Sequence, residues 1–313
     1  MKYLVTGGAG FIGSHIVQRL LEQGASVRVL DNFSSGRREN LQALARQFNG
    51  DRLEVLEGDL RDAPRVEDAV RGMDVIFHHG AFVSVPQSME EPQTCFDVNI
   101  TGTSRLLDTA RAAGVRRVVL ASSAAVYGES EAFPLVEETL PQPQTPYAVS
   151  KRVKEMYAEL FTGSFGLEVV ALRYFNVYGP RQRPDSMYAA AVPIFARRLI
   201  DGQPVTVYGD GGQSRDLIHV RDVVRANLIA AEHENAPGKI FNICTGIETR
   251  LLDLLDVMYE LIPDAPPPQF VAPRPGDIYR SVGSPQKARD LLGFQSEVSL
   301  VDGLKETIDW MRA

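Results

Sequence analysis

The sequence predicts an α/β fold in which a doubly wound parallel sheet is joined to a second, smaller α/β domain, and three observations carry that reading. Short apolar runs alternate with helix-length amphipathic stretches through the first 175 residues. A glycine-spaced turn follows the first run directly. After about residue 175 the pattern changes, with more proline and glycine. The 313 residues, 44% hydrophobic and 23% charged, suit a large core or two unequal domains rather than a disordered or fibrous chain.

The strand-like runs are Tyr3 to Val5, Val27 to Leu30, Leu53 to Leu56, Val75 to Phe77, Val118 to Leu120 and Val169 to Leu172. Between the first two, Ile12, Ile16, Val17, Leu20 and Leu21 fall on one helical face, and Gly24 follows as a stop signal, completing one βαβ unit. Residues 1–175 are therefore assigned to the sheet domain and 176–313 to the second domain. A return to the first sheet is expected around 216–245, because Lys239 to Thr245 is strand-like again. Six prolines between Pro263 and Pro275 argue against any regular element there.

A formal net charge of -7 argues against nucleic acid, whose binding needs a basic footprint. Cys95 and Cys244 match neither a disulfide framework nor a metal-ligand spacing, so they read as buried thiols in a reducing compartment, and no metal site is expected. The opening residues run straight into a strand without a basic segment and long apolar core, and no apolar run of about 20 residues occurs, so a cytoplasmic location and no membrane partner are expected.

The segment Tyr3 to Gly13 (YLVTGGAGFIG) places Gly7, Gly10 and Gly13 between a strand and a helix. Glycines permit the tight turn, and the backbone N–H groups leading into Phe11 and Ile12 can approach a pyrophosphate at the positive helix end. The second strand ends in Asp31, 18 residues beyond Gly13, where a carboxylate binds both ribose hydroxyls and repels the extra phosphate of NADP. This is the fingerprint of a Rossmann domain holding NAD. Asp59 and Leu60, after the third strand, fall near the adenine.

Tyr147 and Lys151 stand four residues apart, so on a helix they share a face. An ammonium beside a phenol favours the phenolate and brings it toward the range of a general base. Ser123, ending the fifth strand run, can hydrogen-bond the same substrate oxygen.

With these residues in view, the chain resembles the extended short-chain dehydrogenase/reductase family, and closely its UDP-hexose 4-epimerases. The likeness runs through TGGAGFIGSH (Thr6 to His15), DNFSSG (Asp31 to Gly36), SSAAVYG (Ser122 to Gly128), YAVSK (Tyr147 to Lys151), RYFNVYGP (Arg173 to Pro180) and RDLIHVRD (Arg215 to Asp222). It implies a tightly held NAD, a UDP-sugar bound mainly by the second domain, and a homodimer of paired helices. By the same resemblance Asn32, Ser35, Gly36, Gly80, Ala81, Asn99 and Tyr174 join the cofactor site, and Lys151 also binds the nicotinamide ribose. Ser84, Ser123, Tyr147, Asn176, Arg215, Arg274, Asp277 and Ser281 are implied on the substrate side. Arg215 and Arg274 would hold the diphosphate, for which a guanidinium fork is suited.

The mechanism this implies is transient oxidation: Tyr147 takes the O4 proton while hydride moves from C4 to NAD, the 4-keto sugar turns over, and hydride returns to its other face. Related dehydratases carry an acidic pair after the hydroxyl residue, and the decarboxylases a glutamate. Here Ala124-Ala125 occupies those positions, and alanine is neither acid nor base. Members limited to glucose and galactose resemble this chain but carry a tyrosine seven residues after the arginine of Arg274-Pro275-Gly276-Asp277; Ser281 stands there and leaves room for an N-acetyl group. His78-His79-Gly80 departs from the usual single histidine before alanine, which points to packing or to added space near the pyrophosphate. A sugar-nucleotide dehydratase or decarboxylase, and an idle NAD-binding protein, are the competing readings.

Overall fold

A computed structural model of the chain describes residues 1–48, 50–184, 191–273 and 278–313. Strands β1 (Lys2–Thr6), β2 (Ser26–Asp31), β3 (Leu53–Glu57), β4 (Val75–His78), β5 (Arg117–Ser123) and β6 (Glu168–Tyr174) are crossed over by helices α1 (Phe11–Glu22), α2 (Arg38–Gln47), α3 (Ala63–Val70), α4 (Val85–Glu90), α5 (Pro92–Phe96), α6 (Gly102–Ala112) and α7 (Pro146–Phe165). The remaining strands are β7 (Asn176–Tyr178), β8 (Thr206–Tyr208), β9 (Ser214–Arg215), β10 (Leu217–His219), β11 (Ile240–Ile243), β12 (Thr249–Arg250), β13 (Gln269–Val271) and β14 (Arg280–Ser281). The remaining helices are α8 (Ala191–Ile200), α9 (Val220–Glu232), α10 (Leu251–Leu261), α11 (Gln286–Leu292) and α12 (Leu300–Arg312).

Seven strands form one parallel sheet in the order β11-β6-β5-β4-β1-β2-β3. Val75, Ile76 and Phe77 of β4 and Val118, Val119 and Leu120 of β5 are buried on both faces, as a sheet covered on two sides requires. One face packs on α1, α2, α9 and α11 through Ile16, Leu41, Val223 and Leu292. The other packs on α3, α6 and α7 through Val66, Leu106 and Phe161. The strand order reverses between β1 and β4, and in such sheets a ligand crevice opens beyond the carboxyl ends of the strands at that point.

β11 comes late in the chain yet pairs with β6, so the polypeptide crosses from the smaller layer back to the sheet. The smaller part is built on β9, flanked by β12 and β14, on the pairs β7–β10 and β8–β13, and on an apolar cluster of α8, α10 and α12 that includes Phe195, Leu254, Met258 and Leu304. The proline-rich stretch does contain a regular element: β13 occupies the proline-free Gln269–Val271 and, among the described residues, pairs with β8 alone. An edge strand of three residues tolerates prolines on either side, since the ladder needs N–H donors on one flank only. Among the described residues no helix is long and apolar enough to cross a membrane.

Two devices fix α7, the longest helix. Thr145 caps its start, accepting from the Ala148 N–H at 3.2 Å, with Pro146 in the first turn. Deeper in, the fully buried Glu155 receives Arg173 of β6 at 2.6 and 2.8 Å and the Ser122 hydroxyl of β5 at 2.6 Å. Losing one member of such a buried pair costs roughly 3–5 kcal/mol, because the other charge is left uncompensated.

Candidate active site

The first turn of the sheet is open backbone. Gly10 precedes α1 with no side chain to cap it, and a Cβ there would meet only the Gly7 carbonyl oxygen, at 3.1 Å, so the helix start at Phe11 and Ile12 faces free space. That surface suits a pyrophosphate, which needs bare N–H groups at a positive helix end. Gly7 has φ +69°, and a Cβ on it would lie 2.6 Å from the Gly80 nitrogen. A Cβ on Gly13 would lie 2.2 Å from the Gly7 oxygen. Turn, helix and the end of β4 are in direct backbone contact, which explains Gly80: its hydrogen-only face packs against Leu60 and the Thr6 hydroxyl. The departure at Gly80 is a packing feature.

Asp31 ends β2 and is buried, with one oxygen accepting from the Ala9 N–H (2.9 Å) and the other from the Phe33 N–H (2.8 Å). Burial pushes its carboxyl above the usual carboxylate range, against the pull of these two donors. Gly36 packs against Ala9 and Asp31, and a Cβ there would sit 2.8 Å from the Ala9 Cβ. Exposed Ser35 lies beside it. Asn32 donates to Asp59 at 2.8 Å, and Arg61 grips the same carboxylate at 2.9 Å and holds its pKa well below the usual range. Leu60 is buried between Gly80 and Gly102, and Ala81 is half-buried just beyond. These residues follow the carboxyl ends of β2, β3 and β4, on the side of the sheet where the sequence expects the dinucleotide.

Asn99 sits on a π-helical turn, Asp97–Thr101, between α5 and α6. It is fully buried: its amide oxygen accepts from the Phe82 N–H (2.8 Å), and its NH2 donates to the Phe82 carbonyl (3.0 Å) and the Ser150 hydroxyl (2.9 Å). Its side chain thus braces the β4 loop against α7. His78 lies between Thr6 (2.7 Å) and Thr103 (2.9 Å), and Lys154 Nζ stands 3.3 Å from its Nε2. Thr103 donates to the Asn99 carbonyl at 2.6 Å, so it accepts from the His78 Nε2–H, and Lys154 faces an N–H. Burial pushes the Lys154 amine well below its usual range, consistent with the neutral form this contact demands. His79 Nε2 lies 2.9 Å from the Tyr174 hydroxyl, and Asn227 Nδ2 donates to that hydroxyl at 2.8 Å.

Tyr147 and Lys151 occupy the first turns of α7, facing the end of β5. The Tyr147 N–H donates to Ser88 of α4 (3.2 Å), and its phenol lies close enough to Ser123 for that hydroxyl to lower its pKa. Lys151 Nζ donates to the Ala121 carbonyl at 2.9 Å and stands 5.3 Å from the centre of the Tyr147 ring. One expectation is corrected by this geometry. Burial pushes the phenol up to about 12, the nearby Ser123 hydroxyl only partly opposing it, and burial pushes the Lys151 amine down to about 8. Desolvation disfavours both charged forms, and at this distance the amine does not overcome it. At this phenol burial outweighs the neighbouring amine.

Beyond Ser123 opens a cleft of about 320 Å³ lined by Ala124, Ala125, Phe133, Tyr174, Asn176, Arg215, Arg280 and Ser281 among others. None of its described lining residues carries a carboxylate. Asp216, buried beside it, accepts from the N–H groups of Thr245, Gly246 and Gly283 and from the Thr245 hydroxyl, which ties the strand ends bearing Arg215 and Ser281 together. Arg215 and Ser281 are register partners in β9 and β14. Ser84 is placed differently: it caps α4, accepting from the Gln87 N–H at 3.2 Å, and is not among the residues that line this cleft. Arg274 and Asp277 lie outside the described residues.

Residues 3–244 match the family model described as the NAD dependent epimerase/dehydratase family. The chain belongs to that family. Among curated members of the epimerase/dehydratase family, the UDP-glucose 4-epimerase of Mycolicibacterium smegmatis is 39% identical over 314 residues, covering 100% of this chain and 99% of that protein. The solved UDP-glucose 4-epimerase of Thermotoga maritima, with UDP-glucose, is similar with a TM-score of 0.93 at 39% identity, covering 100% of this chain and 99% of that one. A UDP-N-acetylglucosamine 4-epimerase from Methanobrevibacter ruminantium, in complex with UDP-N-acetylmuramic acid, is similar with a TM-score of 0.94 at 36% identity, covering 99% and 98%. The chain is thus an NAD-dependent enzyme of the epimerase type.

Sequence reading missed the supports of this site. Glu155, Asp216 and Ser88 touch no expected ligand but hold α7 and the cleft wall. A signal existed for two of them: Arg173 is a lone charge in the apolar run Val169 to Phe175, and such a charge needs a buried partner. Asp216 stands between Arg215 and an apolar strand.

Proposed function

We propose that the enzyme interconverts the C4 epimers of UDP-hexoses, accepting UDP-GlcNAc and UDP-GalNAc, with UDP-Glc and UDP-Gal as further substrates. The observation that carries this reading is Ser123 and Tyr147 set together at the head of a cleft where Ala124 and Ala125 stand beside them, with the Lys151 amine 5.3 Å from the Tyr147 ring. A serine hydroxyl can hold a sugar O4 by hydrogen bonding while Tyr147, as phenolate beside the positive cofactor ring, takes its proton. Alanines supply no group for the C5 proton removal and oxygen loss of a dehydratase, and no decarboxylase glutamate.

In this reading Ser123 and Tyr147 hydrogen-bond O4, and the Tyr147 oxygen receives its proton. The chemistry supplied by bound NAD is reversible acceptance of the C4 hydride, with a positive ring that favours phenolate. Lys151 fixes the ribose and steadies the developing charge. Glycines 7, 10 and 13 receive the pyrophosphate, and Asp31 the adenosine ribose. Arg215 with Asn176 anchors the sugar's diphosphate, Arg274 is a second arginine for that diphosphate, and Asp277 is the partner of the uridine ribose. The anchor at the diphosphate leaves the hexose end free to turn over after oxidation. Exposed Val149, Met156 and Leu160 make a stripe on α7, which supports a homodimer through that helix; a sedimentation mass of one chain would rule it out.

The direct test is incubation of the purified protein with UDP-GlcNAc and UDP-Glc, products being resolved by NMR. C4 epimers are expected. A 4-keto-6-deoxy or pentose product would replace the epimerase reading by elimination or decarboxylation chemistry, and no turnover would leave the idle one. For the sugar gate, Ser281→Tyr is expected to depress kcat/KM on N-acetylated substrates by roughly tenfold or more through steric exclusion, with little change on plain hexoses. Equal loss on both classes would remove Ser281 from that role.

A further inference from the structure

The loop that follows the catalytic strand is strapped across to the smaller domain. The Leu135 N–H donates to the Val282 carbonyl (2.9 Å), the Ser284 N–H to the Leu135 carbonyl (2.8 Å), and Asn242 to that same carbonyl (3.0 Å). At the outer end of this strap the Arg280 guanidinium lies over the Phe133 ring, 4.6 Å from its centre. Glu248, from the turn before β12, grips Arg280 through both oxygens at 2.8 and 2.7 Å and accepts the Ser214 hydroxyl. Phe133 and Arg280 both line the cleft, and Ser214 and Arg280 neighbour Arg215 and Ser281 in β9 and β14.

We propose that Phe133, Arg280 and Glu248 form a latch across the mouth of the cleft that retains the oxidised sugar between its two hydride transfers. This rests on the epimerase reading. After the first transfer C4 is a ketone, its hydride is on the cofactor and its O4 proton on Tyr147, and the sugar must turn over without leaving. The diphosphate anchor holds one end. The other end needs a wall that lets substrate in and holds the ketone for a turnover, and an exposed stack with one ion pair is a contact of that modest strength. Its three members come from separate chain segments and meet through their side chains, so it can open by side-chain movement alone. The latch residues hold the intermediate and perform no chemistry on it.

The readout is partition: each escape of the ketone leaves the enzyme with reduced nicotinamide, seen as its fluorescence, whereas each completed turnover does not. In the parent, turnovers per reduced enzyme are expected to be many. Arg280→Ala, and Phe133→Leu, which keeps apolar bulk but removes the π face, are each expected to raise escape per turnover roughly three- to tenfold, with KM rising and the first hydride transfer unchanged. The double variant is expected to match the singles, because either change opens the same latch. Parent-like partition in both single variants, or effects that multiply in the double, would discard the latch. An inactive parent would discard the epimerase reading itself, so the two failures are distinct.

Discussion

Tyr147→Phe is expected to lower kcat by roughly 10²- to 10⁴-fold on UDP-sugars while the fold and cofactor binding persist. The change removes one oxygen. The ring stays where it is, because the Tyr147 N–H on Ser88, the Thr145 cap and the Glu155 anchor all act on backbone or on other side chains. The lost group is the atom proposed to receive the O4 proton, which leaves Ser123 alone to face that oxygen. Ser123, an unactivated hydroxyl with no described base other than Tyr147, cannot take its place. Single-turnover reduction of bound cofactor by UDP-glucose is the measurement, with cofactor content determined in parallel. Reduction at the parent rate would show that another group abstracts the proton; loss of cofactor along with activity would show that the residue is structural.

Lys151→Met is expected to abolish turnover and yet stabilise the protein near neutral pH. The amine is buried, and desolvation has pushed it from 10.5 to about 8, so below that pH the fold holds a charge it would rather release. A shift of this size corresponds to roughly 3 kcal/mol, of which about 1 is offset by loss of the hydrogen bond to the Ala121 carbonyl. The sign follows from proton counts. The unfolded chain binds the proton more tightly between the folded value near 8 and the unfolded value of 10.5, so the parent gains stability as pH rises through that window. The variant lacks that gain. Thermal unfolding without added cofactor should show the variant melting about 4 °C higher at pH 7, the difference narrowing toward pH 10.5. A variant that melts lower at pH 7 would mean that the Ala121 contact outweighs burial.

Much of the fold was legible because it depends on local rules. The strand runs, the glycine turn and the face of α1 recur where periodicity puts them, since apolar spacing and backbone sterics act over a few residues. The corrections arose where distance in space mattered. β13 in the proline-rich stretch exists because β8 lies alongside it. The tyrosine–lysine pair shares a helix face, yet its electrostatics follow from the burial that β5 and α4 impose. Ser84 stands near the crevice in sequence terms, but its hydroxyl completes a helix cap.

The sequence by itself determined the sheet, the glycine turn and the sharing of one helix face by Tyr147 and Lys151, because each is written in neighbouring residues whose geometry the backbone enforces. Only the tertiary structure decided which groups support them. Glu155 with Arg173, Asp216 with its ring of N–H donors, and Phe133 under Arg280 join residues 18 to 147 positions apart. Pairing over such distances depends on how the layers pack, and a charge or ring in the chain carries no mark of the partner that burial will bring to it.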